Sequence, residues 1–164
     1  MQKKTVIIVG VCVGLCAGAW AITPVLKQHN ESFPDAFNDH FLKERVKTFA
    51  TTRDAPQVGD GEGMFVLPDW VPEDATDIKV KIQTDGNAEL IRFTLADGGP
   101  KLDNGKGCSS GGVFGDSPSL VADWWGQGIG EGDGRPDCSG QYQFRVVVKD
   151  GKAYAWSNGD LVEG

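Results

Sequence analysis

Asp123, Glu131, Asp133 and Asp137 surround Trp124-Trp125 in the chain. Paired carboxylates beside aromatic rings suit glycoside hydrolysis, with one acid protonating the leaving oxygen and the other acting as base or nucleophile. They equally suit acidic, solvated loops beside core tryptophans. Glu131, Asp133 and Asp137 are also oxygen donors of the kind calcium takes, but the twelve-residue calcium-loop spacing is absent. The other common chemistries fall by elimination. The two histidines, His29 and His40, both fall in the expected stalk, which excludes a Ser-His-Asp or Cys-His arrangement or a His-containing zinc site in the domain. Gly126-Gln127-Gly128-Ile129-Gly130 is followed by acids rather than Lys-Ser or Lys-Thr, so it is no phosphate loop. No catalytic residue, cofactor or metal ligand is therefore assigned. Trp124 and Trp125 remain the candidate binding surface, and a hydrolase using the nearby carboxylates remains the alternative.

Cys108 and Cys138 flank this region without a C-x-x-C spacing. Outside the cytoplasm such a pair forms a disulfide. Closing a loop of this length stabilises the fold by roughly 3–4 kcal/mol on the chain-entropy estimate. The enclosed segment needs it, because 13 of the 44 residues from Asp97 to Gly140 are glycine and costly to order.

That oxidising context is read from the N-terminus. Lys3-Lys4 precede 22 uncharged residues, Thr5 to Leu26, closed by Lys27. About 20 apolar residues span a bilayer as a helix, and the basic pair places the N-terminus in the cytoplasm. The competing reading is a signal peptide cleaved after Ala19-Trp20-Ala21. Either way the remainder lies outside, as a single-pass membrane protein or a secreted one. Gly10, Gly14 and Gly18 fall four apart, a face on which two membrane helices can pack as a homodimer. The chain thus divides into a cytoplasmic N-terminus (1–4), a transmembrane or signal segment (5–26), a stalk helix and linker (27–63), and an extracytoplasmic β-rich domain (64–164).

The stalk helix is expected from Ser32-Phe33-Pro34-Asp35, a cap followed by Pro and an acid, and from Phe37, Phe41, Leu42, Val46 and Phe49 on one arc. The domain reads as α+β overall, mainly antiparallel β: two hairpins around the Gly-rich disulfide loop. In the first hairpin Ile78, Val80 and Ile82 alternate with polar residues, as do Ile91, Phe93 and Leu95. A turn at Gly86-Asn87 pairs Ile82 with Ile91 and Val80 with Phe93, whereas a turn at Asp85-Gly86 buries Glu89 against Ile82. The first, or a four-residue loop with the same register, is expected. The second hairpin spans Gln141 to Trp156. A three-residue Lys149-Asp150-Gly151 loop sets Trp156 opposite Phe144 on one aromatic face. A two-residue Asp150-Gly151 loop moves Tyr154 and Trp156 to the Arg145/Val147 face as an exposed strip. The three-residue loop is expected.

Net charge is −7 for the chain, and from Gly61 to Gly164 there are 9 Lys and Arg against 17 Asp and Glu. An acidic domain repels phosphate backbones, which excludes nucleic acid as a partner. The membrane and an envelope protein or glycan remain. Leu67-Pro68-Asp69-Trp70-Val71-Pro72-Glu73-Asp74-Ala75-Thr76-Asp77-Ile78, with Thr84-Asp85-Gly86, Ala122-Asp123-Trp124-Trp125 and Tyr154-Ala155-Trp156, resembles a group of small uncharacterised actinobacterial envelope proteins. The resemblance implies a short N-terminal membrane segment carrying one small domain. It implies no activity. The expected function is a non-catalytic binding or interaction module at the cell envelope.

Overall fold

The computed structural model describes residues 22–57, 64–96, 99–103, 108, 117–130 and 134–162. Strands β1 (Glu44–Thr51), β2 (Thr76–Gln83), β3 (Glu89–Thr94), β4 (Arg135–Asp137), β5 (Phe144–Lys149) and β6 (Lys152–Ser157) form one antiparallel sheet in the order β1-β2-β3-β6-β5-β4. Helix is sparse: residues 22–28, a turn at Asp35–Phe37 and a wide π-turn at Asn38–Leu42. The protein is mainly β. The proposed helix-packing face Gly10, Gly14 and Gly18 lies outside the described residues. Among the described residues no helix is long and apolar enough to cross a membrane.

The expected stalk helix is replaced by β1. Lys43 adopts a left-handed conformation, φ 59°, and its N–H returns to the Asn38 carbonyl, which ends the turn. From there Arg45, Lys47 and Phe49 face one side and Glu44, Val46 and Thr48 the other, paired along the whole of β2. The helical arc of phenylalanines is real only through Phe41. Pairing with an open strand edge outweighs it beyond that point, where β-branched Val46, Thr48 and Thr51 suit a strand.

Both hairpins form, and both differ in register from expectation. In the first, Ile82 lies opposite Glu89 and Val80 opposite Ile91, with a four-residue loop closed by Gln83 N–H on the Ala88 carbonyl. The apolar faces match as expected, because the shift is by two residues. β6 holds β3 from its other side, placing Glu89 beside Ser157 and Leu90 beside Trp156. A carboxyl is thereby brought into the sheet and partly buried, contrary to the pairing that would have spared it. The ladder then slips by one residue between Thr76 and Lys79, where Asp77 has φ 48°.

The second hairpin closes with two residues. Asp150 and Gly151 have φ 52° and 72°, the double left-handed turn whose twist matches the flanking strands. Arg145 therefore pairs with Trp156 and Val147 with Tyr154, so Trp156 does not share a face with Phe144. Its own face carries Tyr154 and Leu90, and the other carries Ala153 and Ala155. Those alanines leave room for Trp70, which enters from the 67–73 loop. It meets the Phe144 ring edge-on at 5.5 Å and the Phe93 ring at 6.3 Å. The sheet is thus sandwiched between two apolar layers: Phe65, Trp70 and Val71 on one side, and residues of 117–130 on the other.

Candidate functional site

Segment 117–130 lies over β3, β6 and β5. Trp125 stands nearly perpendicular to the rings of Tyr154, at 5.5 Å, and Trp156, at 6.1 Å, and touches Trp124 at 6.1 Å. Its indole N–H donates to the Ile129 carbonyl at 3.2 Å. A side chain at Gly126 would meet Ile129 Cδ1 at 2.5 Å and the Tyr154 ring at 3.1 Å, so the loop closes this tightly only on glycine. Trp124 carries the Arg92 guanidinium over its ring, 5.7 Å from the centroid, and Arg92 is itself bonded to Asp77 at 2.9 Å. Trp156 is 2% exposed. The two-residue register does not create an exposed Tyr154/Trp156 strip, because this loop covers it. Trp124 and Trp125 are half-buried and engaged in packing rather than set out as a flat row.

The carboxylates are not gathered in one place. Asp137 pairs opposite Phe144, which points it to the Trp70 side of the sheet, where it is 1% exposed. It accepts the Asp103 N–H at 2.8 Å and the Ser139 N–H and hydroxyl at 3.2 and 2.7 Å. Asp103 in turn accepts the Cys138 N–H at 3.3 Å. Together with the Cys108–Cys138 disulfide, whose Cα atoms are 5.3 Å apart, these bonds tie the 99–103 strap to β4. Asp123 lies on the opposite face of the sheet. It meets His29 Nδ1 at 3.1 Å, with both side chains about half exposed. His29 is therefore part of the folded unit, not of a separate stalk. Glu131 and Asp133 lie outside the described residues. Among the described residues no three His, Cys, Asp or Glu side chains converge as metal ligands.

Two ionic features escaped the sequence reading. Lys81 is wholly buried, and its ammonium reaches the Lys27 carbonyl at 2.6 Å, the Val121 carbonyl at 2.6 Å and Glu44 Oε2 at 2.9 Å. The other Glu44 oxygen accepts from Lys27 Nζ at 2.7 Å. Desolvation lowers the Lys81 pKa, and the Glu44 carboxylate opposes that shift. This cluster joins the 22–28 helix, the 117–130 segment, β1 and β2. Period-2 alternation correctly puts Lys79 and Lys81 away from the Val80 face, but it cannot say that this second face is buried. Glu89 is the other. It is crowded by protein although some of its surface stays accessible, and burial pushes its carboxyl up to about 8.

Two grooves stand out among the described residues. A groove of about 450 Å³ separates the 22–28 helix from the 117–130 segment. A wider one, about 520 Å³, lies between the turn after β1 and the 67–73 loop. Arg53, Gln57, Asp69 and Glu73 supply its polar rim, and Pro56, Leu67, Pro68 and Val71 its apolar floor. The first wall is built by a capping box, in which Asp54 accepts the Thr51 N–H at 2.9 Å. The second is anchored from beneath by Trp70. Thr52 Oγ1 donates to the Glu73 carbonyl at 2.7 Å and links the walls.

No known protein family matches the chain, and neither a curated protein nor a solved structure matches it.

Proposed function

We propose that the chain is a non-catalytic binding module held at the outer face of a cell membrane, and that the groove between residues 52–57 and 66–73 takes its ligand. The observation that carries this reading is a division of labour within the segment Leu67 to Ile78. Its apolar members Trp70, Val71 and Ala75 are buried as an anchor. Its polar members Asp69 and Glu73 stand exposed on the groove with Arg53 and Gln57 opposite. A rigid apolar floor with a few charged groups at the rim is the usual form of a site that selects a ligand by shape and polarity. Trp124 and Trp125 pack against each other and Trp125 against Tyr154 and Trp156, which favours this groove over them as the binding surface. Separation of Asp123 and Asp137 on opposite sheet faces gives hydrolysis by that pair no support.

The full chain in detergent, immobilised and exposed to cell-wall polymers and envelope extract, tests the reading. The retained component should be lost with Arg53→Glu and kept with Trp124→Phe. Retention unchanged by Arg53→Glu would remove the groove, and release of shortened glycans would replace binding by hydrolysis.

A further inference from the structure

The groove beside the 22–28 helix has a different character from the ligand groove. Its lining includes Pro24, Val25, Pro118, Val121 and Trp125, with Gln28 the polar member, and among the described residues none that lines it is charged. Ile22, Val25 and Val121 are 54%, 56% and 50% exposed, and Val25 and Val121 face each other across the groove's lining. One wall is the end of the uncharged run Thr5 to Leu26 itself.

We infer that this groove seats on the lipid interface, so that the domain is held flush against the bilayer. The inference rests on the membrane-anchor reading of Thr5 to Leu26. As a spanning helix those 22 residues cover about 33 Å at 1.5 Å each, against about 30 Å of hydrocarbon. The last turn of the run, Thr23 to Leu26, then emerges within the interfacial layer, and that turn lines the groove. No flexible stalk separates the two. Lys81 holds the Lys27 carbonyl at 2.6 Å, Lys27 pairs with Glu44 at 2.7 Å, and Lys79 pairs with Glu31 at 3.1 Å. His29 bonded to Asp123 adds a fourth tie. The membrane exit is thus fixed to the sheet, and Val121 is carried to the same level as Val25. Charge points the same way. Residues 61–164 carry a balance of −8, so attraction to anionic headgroups cannot seat the domain, whereas an uncharged patch containing a tryptophan can enter the interface.

The full chain reconstituted in phosphatidylcholine vesicles provides the test, with a photo-crosslinking benzoylphenylalanine introduced singly at positions 8, 25, 121 and 148. Val148 is 48% exposed and points to the other face of the sheet, which makes it the matched control. Lipid adducts at 25 and 121, and none at 148, are expected. Lipid at position 8 without lipid at 121 would overturn the seating while leaving the anchor in place. A crosslink from 121 to a second copy of the chain would give the groove to a dimer instead. Failure of position 8 to reach lipid would overturn the anchor reading and the seating with it.

Discussion

Replacing Lys81 by Met tests whether one buried ammonium holds the 22–28 helix to the sheet. Met keeps most of the apolar stem and removes the three polar contacts. The carbonyls of Lys27 and Val121, each 2.6 Å from the ammonium, lose their donor. A buried acceptor left without a partner costs about 1–3 kcal/mol. Glu44, 2% exposed, keeps the partly exposed Lys27 but loses its wholly buried partner, and breaking a buried pair on one side costs about 3–5 kcal/mol. These contributions overlap, so about 3–5 kcal/mol is expected for the whole substitution. Urea unfolding of the full chain in detergent, followed by tryptophan fluorescence, measures it. Hydrogen exchange locates it, because the amides of residues 22–28 should lose protection before those of β3 and β6. Adding Glu44→Gln to the variant should recover part of the loss, since no unbalanced carboxylate then remains. A loss below about 1 kcal/mol, or uniform loss of protection, would refute the clamp.

Glu89 makes stability fall as pH rises. The native state holds this proton up to about 8 whereas the unfolded chain releases it near the ordinary carboxylate value of 4.5, so between those values the native state binds more protons. The slope is at most about 1.4 kcal/mol per pH unit, and Glu89→Gln should flatten it in a pH series of urea midpoints. Trp156→Ala should cost about 3–5 kcal/mol, read as a steep drop in melting temperature, because it opens the layer beneath Trp125. Replacing Cys108 and Cys138 by Ser should cost roughly 3–4 kcal/mol, with proteolysis of the intact chain shifting to 99–103 and the region between the cysteines.

The alternation of Ile78, Val80 and Ile82 and of Ile91 and Phe93 determined, from sequence alone, that these residues share a buried face. Cys108 and Cys138 likewise announced their pairing, as two cysteines flanking a Gly-rich segment without a C-x-x-C spacing. The Asp150-Gly151 dipeptide announced the turn, though weighing aromatic neighbours against turn chemistry led to the wrong loop length. These features are legible because they depend on local geometry and residue type. Which strands neighbour each hairpin is not local. β6 lies beside β3, and that contact places Glu89 beside Ser157 and crowds it from a second strand. β1 lies beside β2, and that contact turned a helical pattern into a strand. The fate of the second sheet face was settled only when 117–130 and 22–28 closed over it. That closure buried Lys81 with Glu44, brought His29 to Asp123, and packed Trp124 against Trp125. A strand pattern reports which residues point together. Whether water or protein meets them depends on segments 40 to 54 residues away in the chain, and only tertiary packing decides that.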